Sequence, residues 1–289
     1  MKAPEWMRAL PWREDLNFLL TNRVPRRQLT RLMGRLSRIE NPLFARAAIA
    51  LWRTFSDLDL SEARESSFRS IHACFTRELK PGLRPLASDP RVLSSPCDAI
   101  VGQHGAVVAG QVYQAKGFPY RVSDLFGSED AARPWQGGCY VTLRLTASMY
   151  HRFHAPHEVR LRHVTFISGD TWNVNPIALQ RIERLFCRNE RAALRLELAD
   201  GEPVALVAVA AILVASLRLH APDLRLHMGY RGPKEIDCDR AFARGDELGW
   251  FEHGSTIIVF APPGFTPVPG LATGSRVRMG EPLLRTTSP

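Results

Sequence analysis

The spacing of hydrophobic and polar residues divides the chain into a helical front and a β-rich remainder. In residues 1 to about 80, apolar residues recur at helical spacing in segments separated by Pro11, Pro25 and Pro42, each close to a plausible helix start. The last of these segments predicts a helix over residues 68–79, which ends before a Pro-Gly pair.

Short apolar runs rich in β-branched residues follow from residue 93 onward, and turn residues separate them. Strands are therefore predicted at residues 99–101, 106–112, 139–145, 159–166, 192–198, 204–217 and 256–260. We expect an α+β fold in which a mainly antiparallel, β-rich body lies behind the helical front.

Two later segments lack a strand pattern. Residues 219–240 are polar and irregular, so no element is predicted there. The tail after Pro262 is rich in proline and glycine, and we expect it to wrap around the body. The longest apolar run, residues 204–217, is too short and too rich in alanine and valine for a membrane span, which favours a buried strand.

The positive charge of the chain is concentrated near its beginning. The formal net charge is +9, and residues 1–53 hold Lys2 and ten arginines against four acidic residues, so 11 minus 4 places +7 there. Residues 26–39 predict an amphipathic helix, because apolar residues and arginines fall on different faces. The apolar face carries Leu29, Leu32, Met33, Leu36 and Ile39, and the other carries Arg27, Arg31, Arg35 and Arg38.

An arginine-rich amphipathic helix has two ordinary uses. It can lie in an anionic lipid interface, where each basic residue contributes ~1 kcal/mol. Alternatively, it can pack its apolar face on the body of the protein and leave its arginines in water. The segment alone does not decide between the two. No nucleic-acid partner is expected, because no nucleic-acid-binding motif or stacking platform accompanies the charge.

The cysteines indicate a reducing compartment. The five of them are odd in number and far apart, which suggests neither a disulfide framework nor a zinc site. Charged residues are scattered through the first residues of the chain and interrupt any apolar signal region, so a secretory signal is not expected.

A Gly-Ser bond near the end of the chain is a candidate for self-cleavage. Gly254 puts no side chain over its own carbonyl, and attack by the hydroxyl of Ser255 would turn the amide into an ester. Elimination across Ser255 would then release the upstream chain, and hydrolysis of the resulting dehydroalanine would leave a pyruvoyl group on the new N-terminus. Taken alone, residues 253–256 favour a polar turn that enters a strand, so other residues have to support the cleavage hypothesis.

Two histidines three positions apart, His151 and His154, are candidate proton carriers. Each of them, taken singly, is more often a hydrogen-bonded structural residue. Together with His157 the spacing also suggests metal ligands, but Pro156 interrupts the helix that such a site would need and no cysteine lies nearby. We therefore expect no metal.

Asp98 comes just before an apolar run. In that position it can accept a hydrogen bond from a histidine and raise its basicity, as the third member of a triad does. Capping a turn is the alternative role. The triad would follow the chain order Asp98, His154, Ser255.

Several short stretches, taken in order, carry a resemblance to a known family. They are Phe75-Thr76-Arg77-Glu78-Leu79, Arg84-Pro85-Leu86, Ser95-Pro96-Cys97-Asp98, Gln114-Ala115-Lys116-Gly117, Tyr150-His151-Arg152-Phe153-His154, Asn173-Val174-Asn175, Leu185-Phe186-Cys187-Arg188-Asn189-Glu190-Arg191, Gly249, Gly254-Ser255-Thr256 and Gly280-Glu281-Pro282-Leu283. Together they resemble the phosphatidylserine decarboxylase family over most of the chain.

The resemblance implies a self-processing enzyme. Ser255 would become a covalent pyruvoyl group, with Gly254 as the new C-terminus of a long β chain and residues 255–289 as a short α chain. Asp98 and His154 would activate Ser255 for the cleavage.

The resemblance also implies the reaction. The pyruvoyl group would form a Schiff base with phosphatidylserine and take up the electrons left when carbon dioxide departs, so neither a metal nor pyridoxal phosphate would be needed. His151 would serve this decarboxylation, which yields phosphatidylethanolamine. The partners would be phosphatidylserine, an anionic membrane surface and the two cleaved chains as a heterodimer, while further dimerisation stays open.

The family is expected to place a helical, membrane-associating region, residues 1–80, on a catalytic domain formed by residues 81–289. The protein would then be peripheral, on the cytoplasmic face of the inner membrane. Two alternatives stay open: a pyruvoyl-dependent decarboxylase of another serine-bearing lipid or amino acid, and a membrane-binding relative that never cleaves itself. Departures from the family pattern include His253, where leucine is frequent, and Ala99, where glycine is usual.

Overall fold

The computed structural model describes residues 15, 18–19, 22, 24–212, 216–227, 229–252 and 255–287, with Ser255 described by its backbone alone. His253 and Gly254 therefore lie outside the described residues, as does Pro11.

Two of the predicted helix starts at prolines are confirmed. Helix α1 spans Arg26–Leu36 and begins directly after Pro25. Helix α2 spans Pro42–Phe55, and its first residue is the proline. The side chain of Asn41 caps α2 by accepting hydrogen bonds from the backbone N–H groups of Leu43 and Phe44, which have no partner within the helix.

The third helix is shorter than predicted. Helix α3 spans Ile71–Phe75, whereas the sequence predicted residues 68–79. The difference has a tertiary cause, because the chain after α3 pairs with an earlier extended segment. Arg64 N–H donates to the Glu78 carbonyl and Lys80 N–H donates to the Glu62 carbonyl, each at 2.9 Å. Apolar periodicity does not reveal such pairing.

Helix α1 does not bury the apolar face predicted for it, and the arginines of its other face are exposed as well. Thr30 and Ser37 are buried on the protein body, whereas Leu32, Leu36 and Ile39 are exposed. The apolar face predicted for this helix is therefore largely in solvent, which argues against its packing on the protein's own body.

The remaining elements are short helices and strands. Further helices are α4 (Val122–Phe126), α5 (Glu129–Ala132), α6 (Pro176–Leu179) and α7 (Leu185–Arg188), with a 3₁₀ turn at Arg133–Trp135. The strands are β1 (Val92–Ser94), β2 (Ala99–Ala106), β3 (Gln111–Ala115), β4 (Phe118–Arg121), β5 (Cys139–Arg144), β6 (Arg152–His154), β7 (Val159–Ile167), β8 (Arg191–Leu198), β9 (Pro203–Ala210), β10 (Ser216–Leu219), β11 (Leu224–His227), β12 (Glu235–Phe242), β13 (Glu247–Phe251), β14 (Ser255–Ala261), β15 (Phe265–Pro267), β16 (Arg276–Val277) and β17 (Pro282–Thr286).

The described strands pair with one another in antiparallel fashion, which confirms the expected α+β class. The predictions at residues 139–145, 159–166, 192–198 and 256–260 agree with strands to within a residue at each end. Three predictions were wrong. Residues 204–217 form two strands, β9 and β10, and the segment 219–240 contains β11 and most of β12.

The third wrong prediction is the strand at residues 106–112. A turn interrupts it, because Ala109 and Gly110 both have positive φ, at 49° and 70°. Strand β3 therefore begins only at Gln111.

Two sheets share the main core. The larger has the strand order β12-β7-β8-β9-β14-β5-β2-β16, and the smaller has β11-β10-β13-β6. Phe153 and Phe251 of the smaller sheet belong to the same buried cluster as Val141 and Ile257 of the larger one. Among the described helices, none is long and apolar enough to cross a membrane.

Strand β14 is buried on both faces. Ile257 and Val259 join the core that the two sheets share, whereas Ile258 and Phe260 join a second cluster on the opposite face. A strand covered on both sides needs apolar residues at every position, which explains why its sequence runs apolar without alternation.

Candidate active site

The predicted cleavage bond lies where the chain passes from one sheet to the other. Strand β13 of the smaller sheet ends at Phe251, whose N–H donates to the His151 carbonyl at 3.0 Å. Strand β14 then begins at Ser255, whose backbone pairs with Ala210 in the centre of the larger sheet. The backbone is thus fixed a few residues to either side of the Gly254–Ser255 bond.

Asp98 comes to the same end of the larger sheet as Ser255. Ile100 of β2 and Thr256 of β14 both pair with Arg144 of β5, so β2 and β14 run parallel to each other on either side of it. Neighbouring strands lie about 4.8 Å apart, which separates the backbones of β2 and β14 by roughly 10 Å. Asp98 precedes β2 as the cleavage bond precedes β14.

His151 is fully buried beside this crossing. Its Nδ1 lies 2.8 Å from the Met149 carbonyl oxygen, which can only accept, so Nδ1 carries the proton in the neutral ring. The ring packs against Phe75 of α3 with 3.8 Å between ring centroids. These contacts fix the tautomer and leave Nε2 as the nitrogen that can take up a proton.

His154 ends β6 and is almost completely buried. Its Nδ1 donates to the Gly245 carbonyl at 2.9 Å, and the Tyr150 hydroxyl lies 2.9 Å from its Nε2. Burial lowers the pKa of His154, and the Gly245 carbonyl and the nearby carboxylates of Glu247 and Asp98 offset this only in part. A neutral imidazole is a proton acceptor, so the ring is suited to act as a base near neutral pH.

The hydrogen bond expected between Asp98 and a histidine is not formed. Both oxygens of Asp98 accept from Arg84, at 2.9 Å and 2.5 Å, and one also accepts from the Met279 N–H at 2.9 Å. A bidentate guanidinium offers two charge-assisted bonds where an imidazole offers one. His154 takes the Gly245 carbonyl instead, so Asp98 acts on it only through its charge.

Comparison with known proteins identifies the family of the chain. The sequence model of the phosphatidylserine decarboxylase family matches residues 71–285, which include all four candidate residues. The chain belongs to the phosphatidylserine decarboxylase family.

Curated relatives cover nearly the whole chain. A phosphatidylserine decarboxylase proenzyme of Anaeromyxobacter sp. (strain K) is 37% identical over 269 residues, 90% of this chain and 94% of the relative. Proteins of the same name from Xanthomonas campestris and Brevibacillus brevis are 36% and 32% identical, over 92% and 91% of this chain and 96% and 95% of the relatives. Their names describe precursors that are processed.

Sequence reasoning overlooked Glu252, the charged residue that this family member carries directly before His253. Its buried carboxylate accepts from Arg38 and Arg225, each at 2.7 Å, and from the Ser216 hydroxyl. His72 Nε2 lies 3.3 Å from the other oxygen. Burial alone would raise the pKa of Glu252, but these partners hold it well below its usual range.

Glu190 was also overlooked as a buried acid, although it lies in a stretch that carried the family resemblance. It is 3% exposed and lines a small cavity with Ser216, Phe251 and Ala210, the residue that pairs with Ser255. Burial raises the pKa of Glu190 to about 8, an effect that Arg27 offsets in part. Glu190 is therefore mostly protonated at neutral pH.

No group of three or more His, Cys, Asp and Glu side chains that could hold a metal ion occurs in the described part of the chain. The His157 ring, which formed part of the discounted metal spacing, lies 2.9 Å from the Pro90 carbonyl through its Nε2.

Proposed function

We propose that this protein is a phosphatidylserine decarboxylase that matures by cutting itself between Gly254 and Ser255. Membership of the family carries the proposal. The crossing from β13 to β14 supports it, because buried histidines and Asp98 gather at the end of the sheet where the bond lies.

The cleavage needs a base for the Ser255 hydroxyl. His154 is proposed for this role, since its Nδ1 proton is committed to Gly245 and its Nε2 is the accepting nitrogen. The Tyr150 hydroxyl donates to Nε2 at 2.9 Å, so this hydroxyl has to give up the bond or relay the Ser255 proton. Attack on the Gly254 carbonyl turns the amide into an ester. Elimination then releases Gly254 as a carboxylate, and hydrolysis frees ammonia and leaves the pyruvoyl group.

Asp98 is proposed to assist through its charge. A carboxylate near His154 stabilises the protonated ring that forms when the ring takes the Ser255 proton. The two hydrogen bonds from Arg84 hold this carboxylate in one orientation.

The second step of the proposal is the decarboxylation itself. The pyruvoyl ketone, when formed, supplies the electron sink that amino-acid decarboxylation requires. The strand that begins at Ser255 fits such a group: the Ser255 backbone pairs with Ala210, and the residues that follow it, Ile257 to Phe260, are buried and apolar. His151 is proposed to deliver the proton that replaces the lost carboxylate. Its Nε2 would carry that proton, because Nδ1 is hydrogen-bonded to the Met149 carbonyl.

A lipid substrate is supported by the surface of the helical front. Leu43 and Phe55 of α2 are 76% and 84% exposed, and Leu32 and Leu36 of α1 are exposed beside basic residues. Exposed apolar groups combined with arginines favour insertion into an anionic interface. We therefore propose residues 1–80 as the membrane-associating region and residues 81–289 as the catalytic domain.

The side of the membrane is inferred from the cysteines. All five are free thiols, which suits the reducing cytoplasm, and basic segments favour the anionic cytoplasmic leaflet. We propose attachment to the cytoplasmic face of the inner membrane.

The two products of the cut are proposed to stay together as a heterodimer. Residues 255–289 would form the short chain, and its strand β14 is hydrogen-bonded to β9 and β5 on both sides. Strand β17 of the same segment pairs with β1.

Intact mass under denaturing conditions tests the proposal. We expect the 32.4 kDa chain to appear as two fragments divided at Gly254, and the Ser255→Ala variant to remain one inactive chain. The His151→Ala variant should be cut but release no carbon dioxide from phosphatidylserine. A wild-type protein that stays uncut, or a Ser255→Ala variant with normal activity, would overturn the mechanism.

A further inference from the structure

A wide cleft opens between α2 and α3 on the helical front. Its volume is about 1080 Å³. We call it the basic cleft, and five of its residues define it here: Arg46 and Arg53 of α2, His72 of α3, and Arg77 and Arg152 below them.

The acidic residues of the cleft pair with other arginines than the two of α2. Glu40 pairs with Arg69 at 3.2 Å, and Glu78 pairs with Arg64 at 2.6 Å. Arg152 lies 3.6 Å from Glu78 and also pairs with Glu247 at 2.9 Å. Within the described residues, neither Arg46 nor Arg53 has a carboxylate at ion-pair distance. Glu65, which is exposed, is the remaining acid of the lining.

Arg77 adds a buried positive charge to the cleft. It is 6% exposed, and its terminal nitrogens donate to the carbonyls of Cys74 and Ser148. Its Nε is buried without a hydrogen-bond partner. Burial lowers the pKa of Arg77, because removing a charge from water is costly, and nearby acidic groups such as Asp98 and Asp59 offset this only in part.

The cleft borders the active site. His72 contacts Glu252, three residues before Ser255. Arg152 follows His151 directly in the chain and donates to the Thr76 carbonyl at 3.0 Å. The lining of the cleft is therefore continuous with the segments that carry His151 and Ser255.

Helix α2 separates the cleft from the exposed apolar surface. Arg46 and Arg53 lie seven residues apart, which is two turns or roughly 10 Å along one face. Leu43 and Leu51 lie on other positions of the same helix and are exposed. A lipid with its acyl chains at this apolar surface would have its headgroup at the level of the arginines.

We propose that the basic cleft binds the phosphodiester of the substrate headgroup, with Arg46 and Arg53 as direct contacts above Arg77. Guanidinium groups match phosphate oxygens with paired, charge-assisted hydrogen bonds. The assignment rests on the proposed function, since it names where that substrate is held. The family match begins at residue 71, so both arginines of α2 lie outside it.

The test uses Arg46→Gln and Arg53→Gln, which change exposed side chains and leave the buried core intact. Arg276→Gln is the matched control, because Arg276 is exposed and lies outside the cleft. The substrate is dihexanoyl phosphatidylserine as a monomer, which removes any effect of vesicle binding. Each cleft variant should raise KM about tenfold or more, with kcat within twofold of wild type and self-cleavage complete. The control should match wild type. Unchanged KM in both cleft variants would overturn the proposal.

Two inhibitors separate a headgroup site from a general anion site. Glycerophosphoserine should compete with substrate, inorganic phosphate should compete much more weakly, and Arg53→Gln should weaken both. Equal inhibition by the two compounds would overturn the assignment to a headgroup.

Direct binding distinguishes failure of this proposal from failure of the proposed function. Calorimetric titration of glycerophosphoserine into the uncut Ser255→Ala protein should show binding, and adding Arg53→Gln should abolish it. If the wild-type protein binds glycerophosphoserine but neither cuts itself nor releases carbon dioxide, the proposed decarboxylase function is refuted and the proposed headgroup site is retained. If the wild-type protein is an active decarboxylase but its Ser255→Ala form binds no glycerophosphoserine, the function is retained and the headgroup site is refuted.

Discussion

Arg38, two residues after helix α1, donates a hydrogen bond of 2.7 Å to Glu252, three residues before Ser255. The helical front is thereby tied to the chain that enters the cleavage site. His72 adds a second tie from α3, while Ser216 and Arg225 hold the same carboxylate from the smaller sheet.

Glu252→Gln should slow self-cleavage by about tenfold. The substitution keeps the shape but removes the charge that gathers Arg38 and Arg225, and breaking a buried pair of this kind costs on the order of 1–3 kcal/mol after allowance for its half-exposed partners. The decay of the uncut 32.4 kDa chain after synthesis measures the effect. Glu235→Gln, at an exposed position of β12, is the control, and equal rates in the two variants would refute a positioning role for Glu252.

Glu190 should make the protein less stable as the pH rises. Burial raises the pKa of Glu190 from 4.5 to about 8, so between these values the folded state binds a proton that the unfolded state has lost. The contribution of Glu190 to the free energy of unfolding is therefore fully present below pH 4.5 and is lost as the pH rises from there through about 8.

Glu190→Gln should remove that slope. Relative to wild type, the variant should gain roughly 1–3 kcal/mol in the free energy of unfolding between pH 5 and pH 8. Urea unfolding of the Ser255→Ala background at several pH values measures it without interference from cleavage. A difference that stays constant with pH would contradict a buried, protonated Glu190. Glu202→Gln, at an exposed site, should show no such trend.

Asp98→Asn should slow self-cleavage and move its pH profile. The Asp98 charge favours the protonated form of His154, against the burial that lowers its pKa. Without that charge the pKa of His154 falls further, so the acid limb of the cleavage profile should shift to lower pH while the plateau rate drops. A drop in rate with an unmoved profile would indicate that Asp98 acts by holding Arg84 alone.

Leu43→Ser and Phe55→Ser should weaken binding to anionic vesicles. Both side chains are exposed on α2, where burial in the interface is worth about 1.5–3 kcal/mol for a large apolar side chain. Flotation with phosphatidylglycerol vesicles at low and high salt measures the change. Val108→Ser is the control, because Val108 is 68% exposed but belongs to the β-rich part. Equal losses in all three variants would contradict a docking surface on the helical front.

The strands best predicted from sequence are those buried on both faces. Residues 256–260 form an unbroken apolar run because β14 contributes side chains to two cores. Strand β12 was missed, since it is an edge strand with mostly exposed residues that depends on pairing with β7. Local pattern carries no signal for such pairing.

Some residues of the candidate site were also predictable from local sequence, whereas others depend on contacts made only in the fold. Asp98, His151 and His154 could be proposed from the sequence because each lies in a short stretch with its own chemistry, and the fold brings these stretches to one end of the sheets. Glu252 was missed because its partners, Arg38, His72, Ser216 and Arg225, come from four separate segments. The partner of Asp98 was wrong for a related reason, since the bidentate geometry of Arg84 exists only in the fold.

The central place of β14 determines what a cut before Ser255 does to the reversibility of folding. An uncut chain can return to its sheet as one molecule, because its own connection delivers residues 255–287 to β9 and β5. After the cut, the same strand is a separate molecule, so reassembly becomes second order in protein and depends on concentration. Dilute mature protein that is fully unfolded should therefore refold poorly, whereas the Ser255→Ala precursor should refold. The lifetime of the mature protein in the cell would then be set by its rate of unfolding.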